Sequence, residues 1–257
     1  MNVRIGCSGF PVGRERYFRR FSAAEIRSTL TQIPRRATAE RWRDDFPDDA
    51  EISLVVWQGV THPCTNGNVE RLRPKPDRSR MLRYGHFRDT VEVRNAWARF
   101  EEVADVVEPK FLVFKTPGTF YPGADHLRDM YRFFKGLRRR RAVWVWERQG
   151  GGWEDRLVRK VCADLGLNPC VDPMKEMPLC GGLNYFRLGG ARGPRDRAFS
   201  DGDLKELAGR CGQKPSYVFF ETKSMWRDAR RFQAVTDPEA YRLAEHRPVR
   251  ASARRGF

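Results

Sequence analysis

Histidine and paired cysteine are what this sequence has least of. Four histidines stand among 257 residues, and the six cysteines (Cys7, Cys64, Cys162, Cys170, Cys180 and Cys211) occur without a C-x-x-C pair. A zinc ribbon therefore has no ligand spacing to build on, and a multinuclear zinc centre has too few imidazoles. Nor do scattered thiols in a long chain make a disulfide framework. Reduced, mostly buried cysteines are expected, the one exception left open being the intracellular disulfides of hyperthermophiles. No apolar run reaches the ~18 residues of a membrane span, and residues 1–20 carry no signal-peptide core. A soluble, cytoplasmic protein with no membrane partner is the expectation.

Acidic residues are also in deficit. Asp and Glu number 33 against 49 Lys and Arg, a formal net charge of +16, well outside the magnitude of roughly 2 to 8 that suffices for a soluble domain. Such a surface attracts phosphates whatever their sequence, so nucleic acid, DNA in the first place, is the expected partner. A solvated, Arg-rich surface from a GC-rich or thermophilic genome is the plainer alternative.

What the chain does have is a recurring short apolar run that ends in a polar residue. Runs at 3–7, 24–26, 52–57, 111–114, 142–146, 170–172, 184–188 and 216–220 read as strands. Between them lie a short helix around Tyr17 and helical stretches at 39–45 (with Thr38 as N-cap), 90–107, 124–139, 153–165, 201–210 and 226–235. The stripe Val93, Trp97, Phe100, Ala104 and Val107 has the spacing of a helix packed on a sheet. Alternating strands and helices of this number predict a single α/β domain, a (β/α)8 TIM barrel over 1–236. A long basic βα-loop at 63–88 and a basic C-terminal tail at 237–257 complete the chain.

Several strand ends carry a resemblance. Arg4, Ser8, Gly9 and Phe10 around the first strand, Glu25 and Ser28 at the second, and Thr61 and His62 after the third recur in order. Phe114 and Pro117, Glu147 with Trp153, Asp172 and Pro173, Tyr185 with Arg187 and Gly190, and Tyr217 with Asp228 continue the series. Together they resemble the YecE-like TIM-barrel family, known as domain of unknown function seventy-two. The resemblance implies a barrel similar to the xylose-isomerase and endonuclease IV group, and so DNA binding by fold analogy alone. Lys115, Gly189 and Glu221 depart from the family pattern, so the chemistry of the mouth is this chain's own.

In such a barrel, side chains at the carboxyl ends of the strands meet in one cavity. Glu25, Glu147, Glu221 and Asp172 are expected there, and paired carboxylates are what cleavage of a glycosidic bond requires. Glu147 and Glu25, with His62 as acid/base and Lys115 as amine or phosphate contact, are the catalytic candidates. Ion pairing of the two glutamates with Arg187 and Arg27 is the structural alternative. Ser8, Arg27, Arg187 and Glu221 are candidates for substrate contact, as is the loop of Gly189, Gly190 and Arg192, whose glycines let backbone amides approach a phosphate. Arg71, Arg73, Lys75, Arg78, Arg80 and Arg83 are expected to rim the mouth as a nucleic-acid contact. No cofactor is expected, although carboxylates and a substrate phosphate are compatible with a single divalent cation. These residues point to a nucleic-acid-acting hydrolase, foremost a glycosylase or lyase of the DNA-repair type. A non-catalytic nucleic-acid-binding barrel, a metal-dependent endonuclease and a sugar-phosphate enzyme are the alternatives.

Overall fold

The computed structural model describes residues 2–65, 67–138, 141–189 and 198–246. Gly190 and Arg192 of the seventh-strand loop lie outside them, as do residues 247–257 of the expected tail.

Eight strands form one sheet: β1 (Val3–Cys7), β2 (Ala23–Ile26), β3 (Glu51–Val55), β4 (Phe111–Lys115), β5 (Val143–Glu147), β6 (Asn168–Val171), β7 (Asn184–Leu188) and β8 (Ser216–Phe220). Every pairing is parallel, in the order β1-β8-β7-β6-β5-β4-β3-β2. The ends of that order meet, because Ser8 bridges to Glu25 and the Gly9 amide donates to the Glu25 carbonyl at 2.8 Å. Gly6 allows the approach: a Cβ there would stand 2.3 Å from the Ala23 carbonyl oxygen. The sheet is thus a barrel, as the alternation of elements predicts.

Period-two alternation sorts the strand side chains into two cores. Ala23, Val55, Phe111, Val113, Val145, Cys170, Tyr185 and Phe219 fill the barrel interior. Leu112, Phe114, Trp144, Trp146, Phe186 and Val218, of the other parity, pack outward in the larger core. Extending the inward parity by one step at each carboxyl end leads to Glu25, Lys115, Glu147, Asp172, Arg187 and Glu221. Most candidate side chains therefore project into the mouth because the strands below them are apolar on the same face.

The helices are α1 (Arg14–Phe18), α2 (Arg36–Asp45), α3 (Gln58–Thr61), α4 (Val91–Val107), α5 (Ala124–Gly136), α6 (Asp155–Leu165), α7 (Asp201–Cys211), α8 (Met225–Thr236) and α9 (Pro238–His246). Thr90 caps α4 by accepting from the Val93 amide at 3.3 Å, and Gly166 ends α6 in the left-handed conformation at φ 59°. No described helix is long and apolar enough to cross a membrane.

Four expectations change. Helix α2 begins before Thr38, with Arg35 at the N-cap position and no side-chain cap. The third strand ends at Val55, and residues 58–61 coil into α3 instead of running on extended. Residues 63–88 are not a structureless loop. They hold 3-10 turns at Val69–Arg71 and Arg78–Arg83, and Gly85, His86 and Phe87 return to donate backbone hydrogen bonds to Gly59, Thr61 and Val60. Finally, the expected tail begins with α9, which packs on α8 and brings Tyr241 under the Arg20 guanidinium at 4.7 Å.

Candidate active site

Parallel register sets Lys115, at the end of β4, beside Glu147, at the end of β5. Lys115 Nζ lies 3.2 Å from Glu147 Oε1. From β7, Arg187 donates through one terminal nitrogen to Glu147 Oε2 and through the other to Glu25 Oε2. Ser8 Oγ donates to Glu25 Oε1 at 2.5 Å, and Tyr185 Oη donates to Glu25 Oε2 at 2.8 Å. These residues form one connected polar chain across the barrel axis, Ser8 and Tyr185 to Glu25, Arg187, Glu147 and Lys115.

Exposure divides the chain into two halves. Glu25 is 0% exposed and the Arg187 side chain 4%, whereas Glu147 and Lys115 keep 15% and 17% of their side chains open. Glu25 cannot reach a substrate. It is a bracing carboxylate: Arg187 pairs with both glutamates, whereas Arg27, the other partner expected of them, pairs with Glu221 instead, and Glu147 is the reachable one. Burial raises the proton affinity of Glu147, but Arg187 and Lys115 outweigh it and hold its carboxyl below the usual range.

A cavity of about 270 Å³ opens above this pair, lined by Lys115, Glu147, Arg148, Asp172, Lys175, Glu176, Arg187, Gly189 and Glu221 among others. Asp172 differs from Glu147 in environment. Burial raises its pKa, and hydrogen bonding from the Met174 amide and the Lys175 ammonium 3.5 Å away only partly offset that effect. Arg148 pairs with Glu176 at 3.2 Å on the same wall. Across the cavity Glu221 accepts from Arg27, whose side chain is half exposed. A larger hollow of about 630 Å³ lies between Glu108, Arg138 and Arg141 at the amino ends of β4 and β5. It contains none of the inward-facing polar residues and lies at the opposite end of the barrel from them.

His62 is half-buried behind the pair, with Nδ1 2.8 Å from Thr61 Oγ1. Burial, and then the charge of Lys115, push its pKa down to about 4. It is a neutral imidazole beside the cavity and not one of the side chains that line it. His86 and His126, which sequence separation sets apart, meet edge to face with ring centroids 4.6 Å apart. His86 adopts φ 53°, a conformation costly for a side chain with a Cβ. Among the described residues no group of three or more His, Cys, Asp or Glu is arranged to hold a metal ion.

The basic loop does not line the cavity. Lys75 and Arg78 both pair with Glu70, the former at 2.5 Å. Arg80 and Arg83 pair with Glu92 of α4 at 3.2 and 2.7 Å. Arg73 donates to the Glu70 and Leu72 carbonyls, and its own backbone bridges to Gln32. Exposed Arg71 closes the first 3-10 turn. Much of the expected rim thus fastens the loop onto its neighbours. Tyr185, Arg148, Lys175 and Glu176 are among the site residues that sequence reasoning passed over. Tyr185 stands two residues before Arg187, so the shared parity of one strand face was the available signal.

A model of the family described as "Protein of unknown function DUF72" matches residues 13–252. No curated protein matches the chain. Among solved structures, a DUF72 family protein from Enterococcus faecalis V583 is similar at 14% identity and a TM-score of 0.66, over 91% of this chain and 95% of that one. A DUF72 family protein from Thermotoga maritima MSB8 is similar at 16% identity and 0.62, over 91% and 98%. A xylose isomerase domain containing protein from Salmonella typhimurium LT2 reaches 0.54 at 13% identity, over 95% and 98%. At these identities the likeness is one of fold.

Proposed function

The chain belongs to the DUF72 family of proteins of unknown function, and we propose that it is a hydrolase that cleaves the glycosidic bond of a nucleotide unit, DNA being its first substrate. The observation that carries this reading is that two carboxyls with different partners line one cavity, Glu147 between Arg187 and Lys115 and the half-buried Asp172 beside Lys175 alone. Glu147 is held below the usual carboxylate range and Asp172 is raised above its own. Glycosidic cleavage uses such a division: one carboxylate attacks, or activates water, while a protonated carboxyl supplies the leaving group's proton.

Glu147 is the base or nucleophile in this reading and Asp172 the acid. Lys115 and Arg148, at the edge of the cavity, supply positive charge to a flanking phosphate. The ion pair of Lys115 with Glu147 favours that contact over attack by a neutral amine, so the lyase step is set aside. Glu25, Ser8 and Tyr185 position Arg187, and Arg187 positions Glu147. The surplus of basic residues supports a polyanionic substrate, and free thiols accord with a cytoplasmic setting.

Purified protein incubated with oligonucleotides carrying uracil, hypoxanthine, oxidised or abasic sites, with and without EDTA, tests the proposal. Release of a free base is expected, and Glu147→Gln should lower its rate about 10²- to 10⁴-fold while DNA binding is retained. No base released from any substrate, or an unchanged rate in Glu147→Gln, overturns it. The EDTA arm decides whether a cation takes part.

A further inference from the structure

We propose that Leu82 is a wedge that enters the base stack of duplex DNA held on the rim of the mouth, a role that rests on DNA being the substrate and adds a residue and a surface outside the cavity. Leu82 is 86% exposed, the highest value among the large apolar residues described. It stands in the 3-10 turn Arg78–Arg83, within the connection that leaves the carboxyl end of β3 and enters α4. That is the end of the barrel at which the cavity opens.

The turn is rooted, so the leucine is presented and not merely loose. Met81 and Tyr84, on either side of Leu82, pack on the outer core, and Tyr84 meets Trp57 edge to face with ring centroids 6.5 Å apart. Asp77 accepts from the Ser79 amide at 2.9 Å, and Thr90 Oγ1 donates to the Arg83 carbonyl at 2.7 Å. Nearer β3, the Arg73 amide donates to the Thr31 carbonyl and the Arg73 carbonyl accepts from the Ile33 amide, both at 2.8 Å. A turn held at both ends keeps Leu82 from folding back, and its apolar surface stays available to a partner.

The surroundings of Leu82 select that partner. Between residues 70 and 88 seven Lys and Arg stand against two acids. Lys75, Arg78, Arg80 and Arg83 are each more than half exposed although each has a carboxylate partner. A guanidinium that holds a carboxylate by one edge keeps further N–H donors for a phosphate. Cations that grip the backbone on both sides of an apolar side chain are the arrangement by which proteins unstack a base step. The cavity also requires it, because a base inside a duplex must leave the stack before an enclosed site can act on it. An anionic membrane surface would take the same cations, but it needs a broad apolar face and not one projecting leucine.

The full chain is titrated into a duplex carrying 2-aminopurine beside a mismatched pair, with affinity read by anisotropy and unstacking by 2-aminopurine emission. Binding should raise the emission. Leu82→Ala, at an exposed position and with an unchanged melting temperature, should bind with nearly the wild-type affinity at low salt and lose the rise. Leu82→Phe should restore it. The same rise in Leu82→Ala, or no binding of the duplex at low salt, overturns the proposal. So does binding to phosphatidylserine vesicles that disappears in Leu82→Ala, which assigns the leucine to a membrane. Unstacking and base release are separate readouts: unstacking without release of any base keeps the wedge and overturns the hydrolase, and base release with an unchanged rise in Leu82→Ala does the reverse.

Discussion

Arg187 and Glu25 form an ion pair inside the barrel although 162 residues separate them in the chain. Neither has appreciable contact with solvent, so their value lies in what Arg187's other terminal nitrogen does, which is to hold Glu147 at the cavity. Removing one partner of a buried pair leaves the other charge uncompensated, at a cost of about 3–5 kcal/mol. Glu25→Gln should therefore lower thermal stability markedly, and it should reduce activity through misplacement of Glu147. Calorimetry and rate measurement on the same variant check this; a melting temperature equal to that of the wild type would show that Ser8 and Tyr185 alone suffice to hold the site.

The pH dependence of turnover has a definite sign on each side. Glu147 must be ionised to act, and its carboxyl is held low, so activity should fall only when acid reaches that depressed range. Asp172 must be protonated, and burial raises its pKa, so activity should fall again as pH rises through that raised value. The profile is a bell whose alkaline limb belongs to Asp172. In Asp172→Asn the residual rate should lose that limb while keeping the acidic one. A limb that persists unchanged in this variant assigns the proton donor elsewhere.

Much of this was legible in the sequence, and the reasons are local. Lys115, Glu147 and Arg187 are legible because each stands at or next to the carboxyl end of an apolar run, and alternation along β4, β5 and β7 then turns them inward. Partnership was not legible, because it depends on the closure of the barrel. Nothing near Glu25 in sequence announces that Tyr185, 160 residues on, donates to it. The basic loop misled for a related reason. Counting Arg and Lys over 63–88 shows charge but not direction, and Glu92, which neutralises two of the arginines, lies beyond the loop in α4.

That loop yields a prediction of its own. Lys75 and Arg78 share Glu70 at the surface, where exposed pairs contribute little to stability. Replacing both by alanine should leave the melting temperature almost unmoved. If the loop nevertheless touches DNA phosphates, the slope of log affinity against log salt should drop by up to about 2. Salt titrations of the double variant and the wild type distinguish the cases. Identical slopes would assign these cations to fastening the loop alone.

His62 and His86 should make the fold acid-sensitive before its carboxylates do. Burial, with Lys115 next, lowers His62 to about 4, and burial, with His126 next, lowers His86 to about 3. Both folded values lie below the ordinary histidine value of about 6.5 expected in the unfolded chain. Between those limits the unfolded chain binds protons that the folded chain refuses, so stability rises with pH and is lost as pH falls from about 6.5 towards 4. Each histidine contributes a slope approaching about 1.4 kcal/mol per pH unit within its window. Denaturant midpoints measured from pH 7.5 to 4.5 should decline on this account, and His62→Gln should flatten the decline by roughly one proton's worth. A variant as acid-sensitive as the wild type would mean that His62 is protonated in the folded barrel, in spite of the ammonium of Lys115 beside it.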